Sequence, residues 1–401
     1  MIKNTEVFFC NSCVMSNQKV LSSTTIEDDV EHSNRHNLEF KNGKCFACIE
    51  VEKKYNQEID WKEKEYELNN LLEKYRSKNG SYDCIVPGSG GKDSVFQADI
   101  LKKKYKMNPL TVTFSPHIYT DIGMKNFHNW PLRGEVSNFL YTPNGAIHRK
   151  LTELAFKNIL HPFQPFIMGQ RHFASHMAKL FNIKLIFMGE SQSEAGGQKD
   201  ELGVPYMLKR YWTKKEDQEM KIAGLTLKEL NMHGITKNDL EYYLPQNIED
   251  IEKNDIQILY LGHWERFEPQ ENFYYASKVS NFQPNDMRTE QTFSKYNSID
   301  DKIDPFHYYT AYVKFGYGRC SEEASKEIRN GYITREEGVQ LVKKYDHEFP
   351  KRYFLDFLDY IKVNEEDFYH TLDRFRKKNL WENIGGEKKY CKNWKLINQV
   401  S

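Results

Sequence analysis

Two kinds of hydrophobic spacing alternate along the chain, and the alternation predicts its layers. Between Ile59 and Lys78 the residues Tyr66, Leu68, Leu71, Leu72 and Tyr75 recur mostly at steps of three and four, which places them on one face of a helix. Asn79-Gly80 stops that helix. "YDCIVP" is then a short unbroken apolar run, the pattern of a buried strand. A glycine-rich turn follows, and "SVFQADILKKKY" returns to helical spacing. "LTVTF" after Pro109, "IKLIFMGES" and "IQILYLG" read as further strands, with "FIM" at Phe166 to Met168 as a shorter one. "AIHRKLTELAFKNIL" and "QRHFASHMAKLF" read as helices, the first with Leu151, Leu154, Ala155 and Ile159 along one side. Gly123 to Phe139 predicts no regular element, and about 214 to 244 predicts a helical insertion.

The last third predicts helices. Two of them have explicit starts: Thr334 with Glu337 forms a capping box ahead of Val339 and Leu341, and Asn364 opens "NEEDFYHTLDRFR". Strands alternating with helices imply a parallel sheet covered on both faces, a doubly wound α/β fold. Three regions follow: a polar, cysteine-bearing module over 1–55, the α/β region over 56–265, and a mainly helical, aromatic-rich region over 266–401. The chain shows no internal repeat and no low-complexity tract.

Composition narrows the function. The chain has 401 residues, 39% of them hydrophobic, enough for a sizeable core. Lys+Arg equals Asp+Glu at 57 each, which argues against a nucleic-acid or anionic-membrane partner. No apolar run is long enough to span a bilayer, and the start has no secretory pattern. The expected setting is the reducing cytoplasm, where the seven cysteines serve as ligands or buried thiols rather than disulfides. The 25 Tyr and 25 Phe crowd the C-terminal third and predict an aromatic-rich core there.

Four cysteines form two C-x2-C pairs, Cys10/Cys13 and Cys45/Cys48. Each pair suits a tight knuckle, and two knuckles complete a tetrahedral four-sulfur site for Zn2+. The segment between them is too polar to make a core alone, so metal would supply much of its folding energy. Closed four-cysteine sites are structural, so no chemistry is expected of this module. Cys84, Cys320 and Cys391 are scattered.

"VPGSGGKDS", Val86 to Ser94, carries the chemistry. It is not a Walker A loop: Asp93 follows Gly91-Lys92 where Ser or Thr is required, and Val86 stands where the first glycine belongs. It is not the dinucleotide fingerprint either, because Asp93 occupies the third glycine's place. What remains is Ser89, Gly90, Gly91, Lys92, Asp93 and Ser94 between a strand and a helix. Glycines expose backbone N–H groups to an anion, and the helix aims its positive end at the same point. Asp93 beside a phosphate makes sense as a helix cap or through bound Mg2+.

This S-G-G-K-D-S run resembles the PP-loop of the ATP pyrophosphatases, such as asparagine synthetase, GMP synthetase and the tRNA thiolases. The resemblance implies that the loop grips the β,γ-pyrophosphate of ATP while attack falls on the α-phosphorus. A longer series, "VPGSGGKDS", "PLTVTFSPHIYTDIG", "HPFQPFIMGQR", "GESQSEAGG", "KVSNFQPNDMRTE" and "DDKIDPFHYYTAYVKFGYGR", resembles the N-acetyl sugar amidotransferases of surface-polysaccharide and flagellin-glycan pathways. It runs from Cys10 to about Tyr360. One departure is Ala195, where the family carries an aromatic after Glu194. The implied reaction converts an acetamido group to acetamidino: the amide oxygen is adenylated and ammonia displaces AMP. The implied substrate is an acetamido sugar, free or nucleotide-linked. Met1 is followed by Ile2 and not by a nucleophilic cysteine, so ammonia is expected from a separate glutaminase with a cyclase-like partner.

The resemblance and the fold position the remaining candidates. Thr113 and Phe114, at a strand end, would read adenine, and Gly169, Gln170 and Arg171, after "FIM", would close over the nucleotide. Glu190 either serves the reaction, taking a proton from incoming ammonium or orienting the amide, or is a salt-bridged or capping carboxylate. Arg288, Lys314 and Arg319, with Lys278 behind them, are candidates for substrate carboxylate or phosphate. His307 and His161 read as core histidines. The rival reading, a PP-loop tRNA thiolase, requires reactive cysteines in the catalytic part, where only the three isolated ones occur.

Overall fold

The computed structural model describes residues 6–20, 38–56, 59–195, 199–215 and 219–401. A small hairpin, β1 (Phe40–Lys41) and β2 (Lys44–Cys45), leads into helix α1 (Phe46–Tyr55). Helix α2 (Trp61–Tyr75) starts where the Asp60 carboxylate accepts from the N–H groups of Lys62 and Glu63, and it buries Leu68 and Leu72. The α/β region then runs β3 (Cys84–Pro87), α3 (Lys92–Asp99) with a π turn to Lys104, β4 (Pro109–Phe114), α4 (Asp121–Gly134), β5 (Ser137–Tyr141), α5 (Gly145–Ile159), α6 (Gln164–Phe181), β6 (Leu185–Met188) and β7 (Gln257–Tyr260).

These five strands form one parallel sheet in the order β7-β6-β3-β4-β5. The chain steps outward from β3 to β5, then returns to the other side of β3 to lay down β6 and β7. The reversal falls between β3 and β6, the switch point at which ligands of open α/β sheets bind, beyond the carboxyl ends of the strands. The loops there are residues 88–91 and 189–191.

Three expectations are corrected. Gly123 to Phe139 is not irregular but holds α4 and β5. Gly123, Pro131 and Gly134 interrupt the helical pattern, although Thr120 caps the helix and Phe127 and Trp130 are buried. β5 is an edge strand with Phe139 and Leu140 exposed, so it carries no unbroken apolar signature. "FIM" is not a strand but lies within α6, which Pro165 starts. The 214–244 segment is not one helix: the turn at Ala223-Gly224, both at positive φ, splits it into a small hairpin and the short helix Leu227–Met232.

The C-terminal region is helical, as α7 (Pro269–Ser280), α8 (Asp304–Phe315), α9 (Arg319–Arg329), α10 (Arg335–Tyr345), α11 (Phe354–Ile361) and α12 (Glu365–Arg374), closed by the hairpin β8 (Trp381–Asn383) and β9 (Trp394–Leu396). Both expected starts are present: Thr334 and Glu337 cap each other, and the Asn364 side chain accepts from the Asp367 N–H. One hydrophobic cluster runs from Ile85 of β3 to Cys391, so the core is continuous across residues 265 and 266. Aromatic contacts join the two parts: Phe156 of α5 lies 5.3 Å from Phe368 of α12 and 5.7 Å from Phe357 of α11, and Phe306 of α8 stacks on Phe357 at 4.1 Å within the C-terminal part. No described helix is long and apolar enough to cross a membrane.

The first turn of α4 packs against the chain at Asp300. A Cβ on Gly123 would sit 2.5 Å from the Asp300 Cα, backbone that cannot swing aside. Gly123→Ala is therefore expected to destabilise by about 1–3 kcal/mol, read as a lower urea midpoint. An unchanged midpoint would show that this contact yields freely.

Candidate active site

β3 delivers the chain to the loop, and the Gly88 N–H donates to the Val112 carbonyl at 3.0 Å, tying the loop to β4. Gly90 has φ +81°, and a Cβ there would lie 2.7 Å from the Phe127 Cα of α4. Gly91 differs: a Cβ there would meet only the Ser89 Oγ, at 3.8 Å, so its outer side is open. α3 begins at the next residue, and its first N–H groups have no intrahelical acceptor and no side-chain cap. An anion therefore has a cradle of N–H groups, a helix dipole and a nearby lysine. The Ser94 hydroxyl donates to the Gly91 carbonyl at 2.9 Å, and the Ser89 hydroxyl donates to Asp300 Oδ2 at 2.7 Å.

Charge of alternating sign fills the crevice. Lys92 is 6% exposed, its Nζ 2.6 Å from Asp93 Oδ2 and 5.8 Å from the centre of the Tyr296 ring. Asn272 of α7 donates to Asp93 Oδ1 at 2.9 Å. Burial opposes charge on Asp93, but Lys92 and Asn272 outweigh it and hold the carboxyl below its ordinary range. Lys326 of α9 forms an ion pair with Glu190 and also acts on Asp93. Burial likewise opposes charge on Glu190, and Lys326 likewise prevails, so Glu190 is ionised and paired. Of the two roles open to Glu190, the salt bridge is the one seen.

Asp300 is held at Ser89 by its neighbour. Asp301 accepts from the backbone N–H groups of His117, Ile118 and Ile303, and the His117 Nδ1 lies 2.8 Å away. Asp304, at the start of α8, is pushed up to about 7 by burial and by repulsion from Asp300. Arg319, at the start of α9, lies over the Tyr308 ring at 4.8 Å, with its Nη1 3.7 Å from Glu322. His307 stacks on His161 at 4.8 Å, and burial lowers both.

Several expected site residues sit elsewhere. Thr113 is fully buried and accepts from the Asn138 side chain at 3.0 Å, and Phe114 packs among Phe166, Phe173 and Tyr243 in the core. Gly169 is on α6, where a Cβ would strike the Phe114 ring at 2.3 Å; it lets helix approach strand. Gln170 is exposed and Arg171 half-buried on that helix, not in a loop after a strand. Lys314 is 2% exposed and its ammonium donates to the Ile159 carbonyl at 2.9 Å. Arg288 forms a two-pronged pair with Glu348, both bonds 2.6 Å, over the Tyr345 ring. These contacts bind Lys314 and Arg288 into the structure rather than turning them toward a substrate. Lys278 is exposed near the end of α7. Asp300, Asn272, Tyr296 and Lys326 were missed; only the acidic "DDKID" run hinted at one of them.

The four cysteines converge. Their Sγ atoms lie within 4.8 Å of one another, with Cys10 and Cys48 at 3.8 Å and Cys13 and Cys45 at 3.9 Å. Tetrahedral zinc with bonds of about 2.3 Å needs sulfur separations of about 3.8 Å, so the set fits Zn2+. The N–H groups of Ser12, Cys13 and Cys45 point at the Cys10 sulfur, and Arg335 of α10 donates to the Cys10 and Cys13 carbonyls.

The parallel sheet, its S-G-G-K-D-S loop at the switch point and the four-cysteine module define a doubly wound α/β protein with a helical C-terminal region. Residues 290–400 match the family model "LPS biosynthesis protein WbpG-like, C-terminal domain". The chain is also 26% identical, over 203 residues, to an uncharacterized protein of Methanocaldococcus jannaschii, covering 49% of this chain and 70% of the relative. Among solved structures, an NMN synthetase from Francisella tularensis overlaps 57% of this chain and 98% of its own, at 13% identity and a TM-score of 0.25. That overlap is too loose to add to the topology.

Metal analysis of the purified chain is expected to find about one zinc per molecule, with Cys48→Ser losing it and melting earlier. A metal-free wild type with the same midpoint as the variant would exclude the site. Glu322 gives a pH prediction. Burial pushes its carboxyl up, but Lys19 and Arg319 outweigh that and lower it from 4.5 to about 2. The ionised form is thus favoured by folding: the stabilisation is complete above 4.5 and lost as pH falls toward 2. Glu322→Gln should cost about 2 kcal/mol at pH 7 and flatten the acid limb of the stability curve. An acid limb parallel to that of the wild type would contradict this.

Proposed function

We propose that the protein is an ATP-dependent, AMP-forming amidotransferase that converts an acetamido sugar into an acetamidino sugar for surface-glycan assembly. The observation that carries the reading is the complete S-G-G-K-D-S loop at the sheet's switch point, open at Gly91 and flanked by Lys92 and Asp93. The lipopolysaccharide-biosynthesis match of residues 290–400 supports the glycan setting. In this scheme the loop N–H groups and Lys92 hold the β- and γ-phosphates. Asp93, an ionised oxygen donor whose side chain is 42% exposed, suits Mg2+. The acetamido oxygen forms a bond to the α-phosphorus, and the bond from that phosphorus to the bridging oxygen breaks as pyrophosphate leaves. Ammonia then adds to the activated carbon, AMP departs and the released proton goes to solvent, while Glu190, held ionised by Lys326, orients the amide. Ammonia would come from a separate glutaminase with a cyclase-like partner, and the sugar would be free or nucleotide-linked.

The thiolase alternative is not favoured. Cys84 begins β3, at the end of the strand opposite the loop. Cys320 and Cys391 are buried, and burial raises both thiols.

The test is a panel of acetamido sugars, free and nucleotide-linked, incubated with ATP, Mg2+ and ammonium. Expected products are AMP, pyrophosphate and a sugar lighter by the exchange of oxygen for NH. Release of only ADP and orthophosphate would overturn the proposal. Lys92→Ala and Asp93→Ala should each cut AMP formation by about a hundredfold or more with an unchanged circular dichroism spectrum. Full turnover in either variant would refute its role.

A further inference from the structure

The four-cysteine module meets the catalytic crevice through two lysines. Lys19 follows Cys13 by six residues, and Lys54 follows Cys48 by six, so the cysteine cluster sets where both begin. Both reach the segment after β6. Lys54 pairs with Glu194, the two side chains 13% and 7% exposed, and its Nζ donates to the Gly262 carbonyl at 3.3 Å. Lys19 donates to the Ala195 carbonyl at 2.7 Å and lies 3.3 Å from Glu322. α1 packs on the single helical turn Gln192–Ala195. The Gly262 N–H in turn donates to the Gly189 carbonyl at 2.9 Å, so the loops after β6 and β7 are stitched together at the point Lys54 touches.

The segment's internal bonds are short-range: the Ser191 and Ser193 hydroxyls meet at 3.0 Å, and the Glu194 N–H donates to the Ser191 Oγ at 3.3 Å. These bonds shape a turn and do not fix its place over the sheet. Place comes from cations: Lys19 and Lys54 from the module, Arg329 of α9 on the Glu194 carbonyl at 3.2 Å, and Lys326 on Glu190. Removing Lys54 would leave a buried carboxylate without its partner, and the segment would move to hydrate it.

We infer that Lys54, with Lys19, is a positioning residue: the metal-held module clamps residues 189–195 so that Glu190 stays at the mouth of the phosphate loop. The module then has a part in turnover beyond the purely structural one expected of a closed four-cysteine site. The consequence for turnover rests on the amidotransferase reading, whereas the clamp itself does not.

The test uses the full-length, zinc-loaded chain and Lys54→Met. Zinc content should match the wild type. Amide hydrogen exchange should speed up in 189–195. In turnover, kcat should fall about ten- to a hundredfold, while the KM for ATP stays within about twofold. Lys54→Arg should recover much of the lost kcat. Unchanged exchange and unchanged kcat at full zinc content would overturn the proposal, as would a loss that only tracks lost zinc. Lys19→Met reads the same segment should Lys54→Met not fold. A wild type that makes no AMP from any sugar would sink the amidotransferase reading, and the exchange measurement would still decide the clamp.

Discussion

The reversal of the chain between β3 and β6 is the constraint on which this molecule turns. Parallel strands joined by covering helices leave no connection over that boundary, so the loops after the two strands part and a crevice opens. A crevice at strand ends cannot be filled by the sheet's own apolar side chains. Here it is lined by charge: Lys92 and Asp93 from one wall, Glu190 from the other, and Lys326 from α9 between them. Each charge sits beside its opposite, which keeps carboxylates ionised where burial alone would neutralise them. An anion entering at Gly91 would meet N–H groups already aimed and would compete for Lys92.

The C-terminal helices share one continuous hydrophobic core with the α/β region. Phe156 on Phe368 and Phe306 on Phe357 bring α12 and α11 onto the helices nearer the sheet, and the continuous core carries α8 and α9 to the crevice. Asp304, Arg319 and Lys326 arrive there because that aromatic packing places their helices, and Asp300 lies just before the first of them. The same packing consumes other basic residues. Lys314 ends on a backbone carbonyl under Phe375, and Arg288 locks to Glu348.

The four-cysteine module adds a third layer of dependence. Its sulfur spacing is that of a tetrahedral metal site, and α10 holds it through Arg335. From there Lys19 and Lys54 reach the loop that carries Glu190. Module, loop and crevice form one chain of polar contacts.

What the sequence determined by itself was everything carried by near neighbours. The knuckle spacing, the S-G-G-K-D-S loop, the Thr334–Glu337 box and the runs that became β3, β4, β6 and β7 all depend on residues a few positions apart, and all were legible. Legibility failed where local signals conflict. α4 carries Pro131 and two glycines yet is held by Thr120 and Trp130, and β5 is an exposed edge. It failed more fully for the site's charges. Nothing near Lys326 marks it as facing Glu190, and nothing near Lys314 marks it as buried, because both sequences read as a cation on a helix. Only the tertiary structure decided between them, since a charge's role is set by the partner that desolvation leaves it, and that partner lies 136 or 155 residues away.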